Sequence, residues 1–431
     1  MSLTLAAAID RSLVRSDAIS ERYLMLTIGV PEGAVRRLPL NLALIVDASG
    51  SMTGEKLERA KEAAAFAVRH LTAADRVAVV AYDDEVRVVA PSTLLAPAAR
   101  ADLLRRIGGI GTGGMTNLSG GWLTGCQEIA AHQSGNSTMD RAIVLTDGLA
   151  NVGIIALEER VEHARQLRSR GITTSTMGVG ADFNEELLEA MARHGGGRFQ
   201  YVETAKHIPD CVQGELGEIA QVYARRLALD VELPRGVRVV GSLNDDAYES
   251  TARGVRVHVG DLLAGDTRKV LLHLSIDRDG STAVAGTGGL PLTVQALALY
   301  TDTATGQGTE QTFPSAHLRY ASLPDVDRQR TDEAVASEVA LLLAAKAKED
   351  AARLSRQGEH DAAAGALRQA QASLAAAPYG AANAPGIAAE LSALGRLADA
   401  AGQGMDESQR KELHYQSYLT RSARKRHDQK T

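Results

Sequence analysis

Three oxygen-bearing side chains stand at alternate positions in the stretch 42–52, LALIVDASGSM: Asp47, Ser49 and Ser51, with only Ala48 and Gly50 between them. A carboxylate and two hydroxyls on so short a turn are hard donors. They suit Mg²⁺ or Mn²⁺ far better than zinc. The residues just before, Leu42 to Val46, form a continuous apolar run, as a strand covered on both faces would. The donors therefore fall past the C-terminal end of a buried strand. In an open α/β sheet that is the edge at which ligands bind. A polar turn that holds no metal is the alternative reading of these residues.

Asp47-Ala48-Ser49-Gly50-Ser51 resembles the D-x-S-x-S signature of von Willebrand factor A domains of the bacterial type, which carry a metal-ion-dependent adhesion site. That family completes the site with a Thr from a second loop and an Asp after a later strand. Thr116 in GGMTNLSGG and Asp147 in AIVLTDGLANVG match these two, in the family's order and with its flanking glycines. The resemblance covers roughly residues 38–221. It implies that Ser49, Ser51 and Thr116 bind the metal directly, that Asp47 and Asp147 act largely through water, and that one position stays open for a carboxylate from a partner protein. The implied ion is Mg²⁺, with Mn²⁺ or Ca²⁺ as substitutes. Neutral direct ligands leave the ion's charge poorly compensated, so it attracts an external acid. The glycines beside Thr116 (Gly113, Gly114, Gly120 and Gly121) are expected to let backbone approach the metal and to absorb movement when a ligand docks.

Two other chemistries compete. An Asp after a buried strand also describes Mg²⁺-dependent phosphohydrolases of the aspartyl-phosphate type, but these usually carry a second Asp two residues on, where Ser49 stands. Neither G-x-S-x-G nor H-E-x-x-H occurs, and no enzyme is expected. Gly109, Gly111 and Gly114 spell a formal G-x-G-x-x-G. A dinucleotide loop, however, needs a strand immediately before it, and here the pattern predicts a helix. His132, His163, His194 and His207 lie on predicted helices without ligand spacing.

The elements that position the five oxygens follow from periodicity. Helices are predicted over 53–71, 97–107, 118–131 (capped by Asn117), 157–170, 184–194 (capped by Asn184) and 205–219. Strands are predicted over 75–81, 85–94, 141–146, 173–179 and 198–202. Strands alternating with helices give a doubly wound, Rossmann-like parallel sheet. After Tyr223 the pattern turns all-β, with strands over 226–233, 237–242, 255–259, 268–276 and 292–301. Five strands make a thin sandwich, and the otherwise homeless strands over 3–9 and 23–30 would complete it. The fold class is thus α/β, inserted in an all-β sandwich, with a C-terminal α-helical region. The expected divisions are 1–37, 38–222, 223–325 and 326–431. Helices are predicted over 334–357, 361–376, 386–401 and 407–424. A spacing from Ala351 to Ala370 resembles one tetratricopeptide-like helix pair, for which an ordinary helical hairpin is the plainer reading.

Composition sets the remaining bounds. At 431 residues, two or three domains are expected. Net charge is −6, which gives no nucleic-acid signature. Residues 410–431 hold seven Lys/Arg against two acids, and the basic tail Arg421, Arg424, Lys425 and Arg426 reads as a solvated end. Two cysteines, Cys126 and Cys211, make no disulfide framework and are expected as buried thiols on helices. The first residues lack a basic n-region, and no 18-residue apolar run occurs, so a cytoplasmic protein is expected, with no membrane partner. The expected function is metal-dependent protein–protein interaction. A scaffold or assembly subunit that binds through the sandwich and helical tail is the alternative. The resemblance also suggests work beside an ATPase or in a multi-protein assembly.

Overall fold

The computed structural model describes residues 2–33, 35–148, 152–154, 156–244, 246–278, 291–380 and 383–423. The chain forms two compact units: Ala34–Arg225 with Thr301–Gln307, and Met1–Gly33 with Arg226–Tyr300 and Gly308–Lys425.

The first unit is built on a six-stranded sheet. Its order is Val86–Leu94, Arg76–Tyr82, Leu40–Asp47, Met139–Thr146, Thr173–Val179, Gly196–Val202. All pairings are parallel except the edge strand Val86–Leu94, which returns antiparallel after the Asp83–Asp84 turn. All eight residues of Leu40–Asp47 are buried, which explains the unbroken apolar run: a strand with helices on both faces has no side to give to water. Ala43 and Ile45 face the helix Leu118–Ala130, where Gly125 lets the helix approach Ile45 closely. The helix Glu55–His70 turns Leu57, Ala60, Ala63, Ala64, Ala67 and Val68 inward and packs on Ile208–Ala220. Asn117 and Asn184 cap their helices, accepting from the N–H groups of Gly120 and Leu187. Cys126 and Cys211 are free, buried thiols on helices, and burial pushes the Cys126 thiol up to about 12.

The second unit holds two sheets. One has the order Thr4–Ile9, Ser20–Gly29, Thr267–Ile276, Val237–Ser242. Ser20–Gly29 pairs antiparallel with Thr267–Ile276 along ten residue pairs, from Ser20 opposite Ile276 to Gly29 opposite Thr267. The N-terminal strands therefore belong beside strands that follow the α/β unit in sequence. The other sheet runs Ala247–Thr251, Gly254–Leu263, Val222–Glu232, Leu292–Asp302, Ala316–Ala321, Leu13–Arg15, and Gly308–Thr312 pairs with Leu292–Asp302. Four of these strands (Leu13–Arg15, Ala247–Thr251, Gly308–Thr312 and Ala316–Ala321) were not expected from sequence. Three are too short or too polar to show an alternating apolar face.

The helical region belongs to this second unit. Glu333–Arg356 covers the first sheet, packing Val335, Val339 and Leu342 against Met25 and Leu271. His360–Ala376, Ala384–Gln403 and Glu407–Ser422 add a small-residue core around Ala351, Ala352, Ala363, Ala364 and Leu394. Reading Arg421 as part of a solvated tail is incorrect. It is buried, pairs with Glu349 at 3.1 Å, and its carbonyl accepts from Asn244 at 3.0 Å. Arg424, Lys425 and Arg426 lie outside the described residues.

Candidate metal centre

Parallel register places the first carboxylate. Leu145 lies opposite Val46, and Tyr82 lies opposite Asp47 on the other side. Asp47 thus ends its strand between Tyr82 and Thr146, wholly buried. Both its oxygens are engaged: Oδ1 accepts from the Ser49 N–H at 2.9 Å and Oδ2 from the Thr146 hydroxyl at 2.5 Å. Burial pushes the Asp47 carboxyl above its ordinary range. The hydrogen bonds from Thr146 and Ser49 pull it back, and the Asp147 charge adds to the upward push.

The second carboxylate sits one residue past the neighbouring strand's end. Asp147 is also wholly buried. Its Oδ1 accepts from Ser51 Oγ at 2.7 Å, and Ser51 Oγ lies 3.1 Å from Ser49 Oγ. The third segment is the loop before Leu118–Ala130, which leads to Thr116. The Gly113 N–H donates to the Ala48 carbonyl at 2.7 Å, and the Gly50 N–H to the Gly114 carbonyl at 3.0 Å. These two bonds lock the Gly-rich loop to the Asp47–Ser51 turn. Thr116 is 4% exposed. A Cβ placed on Gly148 would stand 3.3 Å from Thr116 Oγ1 and 3.4 Å from Ser51 Oγ, so the two hydroxyls converge in front of Gly148. The structure therefore brings Asp47, Ser49, Ser51, Thr116 and Asp147 to one sheet edge.

This donor set fits a hard divalent cation. Two buried carboxylates repel each other, and a cation between the hydroxyl-bearing loops relieves both charges. Among the described residues no group of three or more His, Cys, Asp or Glu is placed to hold a metal, so hydroxyls are needed to complete the set.

The glycines beside Thr116 are closely packed. None of Gly113, Gly114, Gly120 and Gly121 has a positive φ. A Cβ on Gly113 would fall inside the Asp83 carboxylate, and one on Gly121 inside the Tyr82 ring. They are small because their neighbours crowd them. Two participants escaped the sequence reading: Thr146, which anchors Asp47, and Lys56, whose ammonium pairs with Asp147 Oδ2. Thr146 stands directly before Asp147. Lys56 follows the D-x-S-x-S turn by five residues, which in the folded chain is the first turn of the next helix.

The von Willebrand factor type A domain profile matches residues 41–213. Over 296 residues the chain is 27% identical to an uncharacterized protein of Synechocystis sp., covering 63% of this chain and 67% of that protein. It is 26% identical over 243 residues to the uncharacterized protein YfbK of Escherichia coli, covering 55% of this chain and 42% of that one, so it spans less than half of the latter's length. Among solved structures, a von Willebrand factor type A protein from Catenulispora acidiphila superposes with a TM-score of 0.70 at 18% identity, over 96% of both chains. At that identity the likeness is one of fold.

Proposed function

Residues 41–213 form a von Willebrand factor type A domain, and from that premise we propose that this protein is a docking module. Its Mg²⁺, held by Asp47, Ser49, Ser51, Thr116 and Asp147, would bind an acidic side chain of a partner protein. Such domains commonly mediate metal-dependent protein–protein interaction. The observation that carries the reading is the convergence of two wholly buried carboxylates and three hydroxyls from two loops at one sheet edge. The hydroxyls of Ser49, Ser51 and Thr116 are the direct ligands. Asp47, with both oxygens already engaged, holds the turn and acts through water. Met115, directly before Thr116, is 57% exposed and offers an apolar contact at the rim, as a protein interface would use. No hydrolytic role is proposed. Among the described residues no helix is long and apolar enough to cross a membrane, and a cytoplasmic setting is part of this reading.

Titration calorimetry with Mg²⁺ and Mn²⁺ tests the metal, and affinity capture in Mg²⁺ and in EDTA tests the docking. The wild type should bind one ion, Asp47→Ala none. Thr116→Ala should lose the partners that chelation also removes, with its melting temperature nearly unchanged. Partners held equally by wild type and Thr116→Ala, in Mg²⁺ and in EDTA alike, would move the binding to the sheets and helices of the second unit.

A further inference from the structure

Resting on the reading that these five residues hold a divalent ion, we propose that Lys56 sets the net charge of the loaded site and so makes it demand an anionic group from the partner. Lys56 lies in the first turn of the helix Glu55–His70. That end of a helix carries a partial positive charge and favours acids, as Glu55 and Glu58 there illustrate. A cation in this turn is unfavourable unless a carboxylate holds it. Asp147 does so: Oδ2 takes the Lys56 ammonium while Oδ1 takes the Ser51 hydroxyl at 2.7 Å. One carboxylate thus joins the ammonium to the hydroxyl set. A Cβ on Gly180 would lie 3.8 Å from Lys56 Nζ, which puts the ammonium at the same sheet edge, just past the strand Thr173–Val179. The Lys56 side chain is 29% exposed and that of Asp147 wholly buried, so Lys56 is the member of the pair that reaches solvent.

Charge counting gives the consequence. The hydrogen-bonded cluster carries two carboxylates and one ammonium, a net −1. A divalent ion brings it to +1, and a docked carboxylate to zero. Without Lys56 the loaded site would already be neutral, and an acid would gain less by docking. Lys56 therefore acts in opposite directions on the two steps: it opposes the metal and favours the anion. A residue that merely clamped Asp147 would support both.

The test uses the full chain as wild type, Lys56→Gln and Lys56→Arg. Mn²⁺ is titrated at low salt, then glutarate into the Mn²⁺-saturated protein, followed by calorimetry and by the Mn²⁺ electron spin resonance signal. Thermal melts check that each variant is folded. Lys56→Gln should bind Mn²⁺ about three- to thirty-fold more tightly and glutarate more weakly by a similar factor, the span expected for one charge a few ångströms away in a partly wet site. Lys56→Arg should stay near the wild type in both. Changes of the same sign in both affinities, or no change in either, overturn the proposal, as does a wild type that takes up Mn²⁺ but binds glutarate no better than Lys56→Gln. A wild type that takes up no Mn²⁺ sinks the metal reading itself and this proposal with it.

Discussion

His194 shows how a single buried side chain reports on its surroundings. It ends the helix Glu185–His194, and its Nδ1 accepts from Arg165 Nε at 3.4 Å. Burial first, and then the charges of Arg193, Arg165 and Arg168, lower it from 6.5 to about 4. A helix C-terminus ordinarily welcomes a protonated imidazole, but here desolvation and three guanidinium groups outweigh that. The folded chain thus binds fewer protons at this residue than the unfolded chain does between pH 6.5 and 4. Stability should be fully present above pH 6.5 and fall as the pH drops through this window, by on the order of 2–3 kcal/mol. Denaturant titrations of the wild type and His194→Gln across pH 4 to 7 check this. The variant should show a flatter profile, and parallel profiles would rule His194 out as the cause.

At the scale of elements, the centre depends on how closely two loops can approach. The Gly-rich loop is tied to the Asp47–Ser51 turn by the Gly113 and Gly50 N–H groups, and it lies against the Asp83 side chain. That side chain cannot swing away: Oδ1 accepts from the Glu85 N–H at 2.8 Å and Oδ2 from Arg87 at 2.8 Å. Gly113→Ala must therefore push the loop off the turn. Overpacking of this kind costs about 1–3 kcal/mol, and the displacement carries Thr116 with it. Calorimetry should find Mn²⁺ affinity reduced about tenfold or more, which is about 1.4 kcal/mol or more. Gly111→Ala is the control. A Cβ there meets nothing within 4 Å, so its affinity should match the wild type. Equal affinities for Gly113→Ala and the wild type would mean that the loop tolerates the shift.

For the whole molecule, chain order and spatial order part company. Ser20–Gly29 lies between Thr4–Ile9 and Thr267–Ile276 in one sheet, although the entire α/β unit separates the first two strands from the third in sequence. Val14 pairs with Tyr320 in the other sheet. A fragment 38–222 should fold alone, since its six-stranded sheet draws every strand from within that range. A fragment beginning at residue 223 should not. It would lose the strand paired with Thr267–Ile276 and expose a long, apolar edge to association. Adding residues 1–33 back as a separate peptide should restore soluble, folded protein. Sedimentation and circular dichroism of the fragments decide the matter, and a monomeric, folded 223–431 would show that the N-terminal strands are dispensable.

The two carboxylates could be picked out in sequence because each ends or directly follows a strand whose burial on both faces leaves an unbroken apolar run, whereas Thr116 follows a helix and a Gly-rich loop and was reached only through the family resemblance. Leu42–Val46 and Ala142–Leu145 announce Asp47 and Asp147 in that way. The alternation of strand and helix through residue 220 was legible for the same reason, since buried parallel strands and amphipathic helices have distinct periods. The N-terminal strands could be assigned to the later sheets by elimination, but their register could not, because residue pairs some 240 positions apart leave no local signal. Short polar strands such as Gly308–Thr312 gave no pattern, being specified by the neighbour they pair with rather than by a buried face. Nor could sequence tell that Lys56 reaches Asp147, that Arg421 is buried against Glu349, or that Gly113 is small because Asp83 crowds it. Side-chain identity and local period determined which elements form and which oxygens end them. Only packing in three dimensions decided which charges meet and which residues must yield space, because those depend on contacts between segments far apart in the chain.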